Sequence, residues 1–273
     1  MLHLRTIALR EIKLGFRNPW AYSFMVLFAL FSLALLLIQS RASLDGYTST
    51  TGTMINLILY LLPLMTMLLG SFSLTSEKEE GGWRLLSSFS LRSSNYLWGK
   101  YAGLAVVLLL IVAFGFGLSG VIGALFNQAF EPSAFGQFLL FSAVIILMFL
   151  GIAVLIGAVC HNRWQALTYG VGVWFFFILG WPTILMSFLG FLPYLWIKPA
   201  LVSLIFINPA ELNRLFLIVK MGGGSILGPE YYQWVEWIQK PSGSLVFAGI
   251  CCLWILVYVG LATWVWERGR KRE

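Results

Sequence analysis

Residues 132–162 read PSAFGQFLLFSAVIILMFLGIAVLIGAVCHN, 31 consecutive positions without an Asp, Glu, Lys or Arg. A helix rising about 1.5 Å per residue needs roughly 20 apolar residues to cross a hydrocarbon core about 30 Å thick, so this stretch alone can span a bilayer. Five more charge-free intervals accompany it, at 18–40, 46–76, 101–130, 164–197 and 241–266, and the six together hold 175 of the 273 residues. No soluble domain hides that much apolar surface. The pattern predicts an all-α integral membrane protein with six transmembrane helices, near 20–39, 54–75, 101–125, 138–160, 166–190 and 244–266. It excludes a disordered chain, and three cysteines are too few for a disulfide scaffold.

The charges between the gaps set the orientation. Arg5, Arg10, Lys13 and Arg17 precede the first span, and Arg268, Arg270, Lys271 and Arg272 follow the last. With both termini in the cytoplasm, that face carries 13 basic and 6 acidic residues and the opposite face five of each. The formal net charge of +7 then lies wholly on the cytoplasmic side, where basic residues are retained, and nucleic-acid binding is not needed to explain it. This makes the chain a multi-pass membrane protein with its N and C termini cytoplasmic. The stretch 20–39 exceeds the roughly 7–15 residues of a signal-peptide core and reads as a retained anchor.

One transmembrane domain is expected over 1–273. Its first part, 1–19, holds a helix with Leu2, Leu9, Ile12 and Phe16 on one side and cations beside them, which suits an interfacial elbow ended by Asn18-Pro19. Spans one to five occupy 20–190, with a cytoplasmic loop at 77–100; span six is 244–266, and 267–273 is a cytoplasmic tail. The extracytoplasmic segment 191–243 is not a random loop. Asn208-Pro209-Ala210-Glu211 has a capping residue, a first-position proline and an early acid, with Leu212, Leu215, Phe216 and Val219 following on one face. Gly222-Gly223-Gly224 stops that helix, and a second begins at Pro229 with Tyr231, Trp234, Val235 and Ile238 together. Two amphipathic helices resting on the outer membrane surface, or docked against a partner, are expected.

Catalytic chemistry is not legible. No span carries an ionisable residue at depth, which disfavours a proton-driven carrier. Gly99-Lys100-Tyr101 lacks the glycine spacing and the Ser/Thr of a phosphate loop, so ATP binding and enzymatic activity are not expected of this chain. His3 and His161 have no matching ligand set, and no cofactor or metal site is expected. Met65, Met67, Cys251 and Cys252 are soft donors in principle, but apolar packing accounts for them more simply. Gly115, Ser119 and Gly123 make a small-residue face, and Pro63 and Gly180-Trp181-Pro182 should bend the second and fifth spans.

The loop between spans two and three carries the most information. Glu77-Lys78-Glu79-Glu80-Gly81-Gly82 leads into Trp83-Arg84-Leu85-Leu86-Ser87-Ser88-Phe89-Ser90-Leu91-Arg92, and Gly99-Lys100 opens the next span. A plain solvated loop has no need of Trp83, Leu85, Leu86 and Phe89, which together could fill a groove on another protein. This arrangement resembles the permease subunits of ABC type-2 transporters, whose corresponding loop reads approximately Glu-x-x-x-Gly-Thr-x-x-x-Leu-Leu, Pro-x-x-Arg, Gly-Lys. Ser90 stands at the usual proline and Gly82 at the usual threonine. The resemblance implies a bacterial cytoplasmic (inner) membrane, a coupling helix that docks on a separately encoded ABC ATPase subunit, in two copies, and a second copy of this chain as partner. Trp83, Leu85, Leu86 and Phe89 would dock, with Glu79 and Arg92 in electrostatic contacts.

Asn208-Pro209-Ala210-Glu211-Leu212-Asn213-Arg214, with Arg163, Ala166 and Trp174-Phe175, further resembles the permeases of multicopper-enzyme and nitrous oxide reductase maturation. That subgroup implies copper-site assembly outside the cytoplasm, with Asn208, Pro209, Glu211 and Arg214 ordering the outer segment or meeting an extracytoplasmic partner. A sulfur species, or export of lipid, peptide or drug, stays open as cargo. So does a non-transporting membrane scaffold or sensor that recruits a cytoplasmic protein through the same loop.

Overall fold

A computed structural model describes residues 2–39, 49–81, 92–125 and 132–270, all of whose regular elements are helical. In order they are α1 (Leu2–Gly15), α2 (Pro19–Gln39), α3 (Ser49–Glu79), α4 (Ser93–Leu125), α5 (Pro132–Val159) and α6 (Arg163–Phe175). A π-helical turn (Phe176–Gly180) links α6 to α7 (Trp181–Gly190), and α8 (Tyr194–Ile207) and α9 (Pro209–Lys220) follow. Two 3₁₀ turns, Gly223–Leu227 and Pro229–Tyr231, lead to α10 (Tyr232–Gln239) and α11 (Pro241–Arg270).

Five helices are long and apolar enough to cross a membrane: Thr51–Glu79, Ser93–Leu125, Phe135–Val159, the continuous Arg163–Gly190 and Pro241–Gly269. The 21 apolar-rich residues of α2 add about 31 Å, the length of a sixth crossing. α3 and α4, at 31 and 33 residues, are longer than a bilayer core requires. α3 packs on α5 and α6, α4 on α1 and α2, and α11 on α5. The C-terminal ends of α3, α5 and α11 meet α1 and the N-terminal ends of α4 and α6 at one end of the bundle, so successive crossings alternate in direction.

Small residues set the closest approaches. A side chain at Gly115 would lie 2.5 Å from the Phe28 ring, and Ser32 and Ser119 hydroxyls meet at 2.5 Å, so the Gly115/Ser119 face joins α4 to α2. The proline step in the fifth span produces a π turn. Trp181 N–H is given to Phe176 O, five residues back, instead of Phe177. In that register Phe177 O would need the amide of Pro182, which has none.

The outer segment differs from expectation. α8 and α9 meet at an angle of 108°, and α9 turns back into the bundle against α5, α3 and the π turn. Leu212, Leu215, Leu217, Ile218 and Val219 are all buried, covering more than one face of α9. A helix apolar on most sides is held in a core and does not lie flat at an interface. α10 packs on α11 through Trp234 and Ile238, both buried, while Tyr232 is exposed.

Candidate functional site

Glycine spacing builds the site where the helix ends gather. A Cβ at Gly99 would sit 2.9 Å from Ile7 and 3.1 Å from Leu4 O; one at Gly103 would sit 2.6 Å from Glu11 Cβ and 2.7 Å from Ala8 O. Their absence lets α1 lie directly on the α4 backbone. Lys100, between the two glycines, is thereby covered by Glu11, and both are nearly inaccessible, at 1% and 4% side-chain exposure.

Two charges so buried persist only when each is paired and hydrogen-bonded. Lys100 Nζ donates to Glu11 Oε2 at 3.1 Å, to Ser73 O at 3.0 Å and to Ser73 Oγ at 2.6 Å. The Ser73 hydroxyl donates in turn to Glu11. Glu77, one turn along α3, accepts from the Tyr96 hydroxyl, and its Oε1 stands between Lys100 Nζ at 3.3 Å and Arg10 Nη2 at 3.2 Å. Oε1 has no hydrogen-bond geometry to either cation, so that contact is chiefly Coulombic.

The next three residues bind other helices. Lys78 Nζ donates to the carbonyls of Gly157, Ala158 and Cys160 at 2.9, 2.7 and 2.7 Å, filling orphan acceptors at the C-terminal end of α5. It also lies 5.0 Å from the Trp266 ring centre of α11. Glu79 pairs with Arg163 Nε at 3.0 Å and accepts the Arg163 backbone N–H at 2.8 Å, and Glu80 pairs with Arg163 Nη2 at 3.0 Å. Acids there face the positive end of α6, whose N-cap Asn162 accepts from Gln165 N. Gly81, at φ 72°, closes α3 in the left-handed conformation. Four consecutive residues, Glu77 to Glu80, thus tie α3 to α1, α4, α5 and α6 immediately before the expected coupling helix.

Of the docking residues, Glu79 is engaged within the chain and Arg92 is exposed just before α4. Trp83, Leu85, Leu86 and Phe89 lie outside the described residues. Glu11 was not singled out in the sequence, although it is the sole acid in an elbow rich in Arg and Lys, and Gly99-Lys100 with Gly103 is the helical spacing that receives it.

At the other end, Asn208 is the N-cap of α9, its Oδ1 accepting from Ala210 N at 2.8 Å and Glu211 N at 3.3 Å. Its Nδ2 donates at 2.8 Å to Phe177 O, the carbonyl that Pro182 leaves without a donor. Pro209 occupies the first helical position, and Arg214 pairs with Glu211 at 3.5 Å. Asn213 Nδ2 donates to Pro209 O at 2.6 Å and to Met148 Sδ at 3.0 Å. Met65 and Met67 pack in one apolar cluster and Cys251 in another, so these sulfurs do not gather into a single donor set.

A family model described as "ABC-2 family transporter protein" matches residues 5–269. The chain belongs to the ABC-2 transporter family. It is 29% identical over 231 residues to a "Probable ABC transporter permease protein NosY" of Stutzerimonas stutzeri, covering 81% of this chain and 84% of the relative. It is 32% identical over 219 residues to the protein of the same description from Pseudomonas aeruginosa, covering 77% and 79%. As a member of the ABC-2 family it is a multi-pass permease subunit of an ABC transporter. The Glu77–Glu80 junction precedes the 82–91 loop, and Arg92 leads from that loop into α4.

Proposed function

We propose that this permease couples ATP hydrolysis by a separately encoded ATPase to movement of a cargo across the membrane, with two ATPase copies serving two copies of this chain. The observation that carries this reading is the Glu77–Glu80 junction. A push on the 82–91 loop would reach α1, α4, α5 and α6 through these paired charges. Trp83, Leu85, Leu86 and Phe89 form the docking face, Arg92 adds a cation beside it, and Glu79 acts by fixing Arg163 to the stem. The basic excess at 5–17 and 268–272 supports a cytoplasmic location for this end and for both termini.

The cargo reading best supported by the Asn208–Arg214 motif is one for copper-site assembly outside the cytoplasm, with an extracytoplasmic partner at the far end. Co-purification with the ATPase encoded beside it tests the function. Wild-type chain should raise the hydrolysis rate of that ATPase in membranes, and Leu85→Glu with Phe89→Glu should abolish the increase by placing two charges in an apolar groove. Undiminished stimulation by the double variant would reject the docking face; failure to bind any ATPase would favour the scaffold reading.

A further inference from the structure

A crevice of about 510 Å³ opens beside the junction, between α1, α3, α4 and the start of α2. Its lining has two characters. Leu14, Phe72 and Trp20 form an accessible apolar wall, whereas Arg10 and Arg17 stand around it as cations. A soluble nucleotide or metabolite would leave the apolar wall unused, and a bare hydrocarbon would leave the cations unused. An amphiphile with an anionic head uses both.

The charge balance points the same way. Every acid lining the crevice is already engaged: Glu11 by Lys100, Glu77 by Lys100 and Arg10, and Glu80 by Arg163. Arg17 is exposed and forms no ion pair among the described residues, and Arg10 keeps 54% of its side chain accessible. The N-terminal turn of α2, capped by Asn18, lines the same opening and contributes the positive end of its dipole. Arg163 is also held by Glu79, so the cation left over at the opening is Arg17. The level is also that of headgroups, because Arg17 gives way within three residues to the exposed Trp20 and then to the apolar α2.

We propose that this crevice binds one anionic phospholipid of the inner leaflet, its phosphate held by Arg17 and Arg10 and the first part of one acyl chain lying along Leu14, Phe72 and Trp20. The inner-leaflet assignment rests on the orientation proposed above. Such a lipid touches Arg10, which holds Glu77, and so sits against the junction itself.

The test uses the full chain with its ATPase in nanodiscs of phosphatidylcholine with and without phosphatidylglycerol carrying a photoreactive acyl chain. Native mass spectrometry after detergent extraction should show phosphatidylglycerol retained in preference to phosphatidylcholine, and photolabel should map to 14–20 and to Phe72. Arg17→Gln should lower retention about fivefold, the contribution of one basic residue at an anionic surface, while Arg17→Lys restores it. Equal retention of the two lipids, label confined to other segments, or an Arg17→Gln chain that retains lipid like wild type would overturn the site. Displacement by glycerol phosphate would reassign it to a soluble organophosphate. Lipid retention is read apart from hydrolysis, so failure of ATP coupling and failure of this site give different results.

Discussion

Replacing Lys100 with Met is expected to destabilise the chain by about 3–5 kcal/mol, the cost of leaving buried charge without its partner. Met matches the length of the Lys stem, so lost volume contributes little. The cost comes from Glu11, which loses its cation while covered by α1 and α4, and from Glu77, which keeps only Arg10. Thermal unfolding of the purified chain measures it. Adding Glu11→Gln should recover part of the loss, because a neutral amide can stay beside Ser73 without a counter-charge; equal or greater loss in the double variant would show that the pair is not the origin. Where the Lys100→Met chain still folds, ATPase binding should persist, but ATP-driven movement should fall sharply because the cation that joins Glu11 of α1 and Glu77 of α3 to α4 is gone.

Asn208→Ala is expected to cost about 2 kcal/mol, combining roughly 1 kcal/mol for the lost helix cap with a similar amount for the hydrogen bond to Phe177 O. The two parts can be separated. Asn208→Ser keeps a capping hydroxyl but cannot reach Phe177, so it should recover about half the stability, since a serine caps nearly as well as asparagine. Transport should not recover with it if Asn208 holds α9 to the π turn. Hydrogen exchange across 209–220 supplies the structural readout, with faster exchange expected in Ala than in Ser. Identical behaviour of Ala and Ser in stability and exchange would confine Asn208 to the bond with Phe177.

The crossings were legible because they rest on a local quantity, the distance between charges, and a bilayer imposes the same length on each. The α9 start was legible for the same reason: Asn208, Pro209 and Glu211 act within one turn. The burial of α9 was also written in the chain, since Leu215 to Val219 are five successive apolar residues and must face every direction of a helix. Attention to the single stripe Leu212, Leu215, Phe216 and Val219 concealed it. Glu11 and Lys100 are a different case. They are 89 residues apart, and only the close passage of α1 over Gly99 and Gly103 makes them partners. The acidic run at 77–80 reads as one charged patch, whereas the fold sends its members to different helices.

The most direct test of energy transfer through this junction reverses the Arg163 link. Arg163, Glu79 and Glu80 are partly exposed, so each pair contributes at most about 1 kcal/mol to stability, and a Glu at the first position of α6 is locally favourable. Arg163→Glu should therefore fold and bind its ATPase. With a single reporter cysteine at the exposed Ser225, the ATP-dependent change in labelling rate measures movement at the far end of the bundle. This change should be lost in Arg163→Glu and return when Glu79→Arg and Glu80→Arg are added; a full ATP response in Arg163→Glu alone would contradict transfer through the junction.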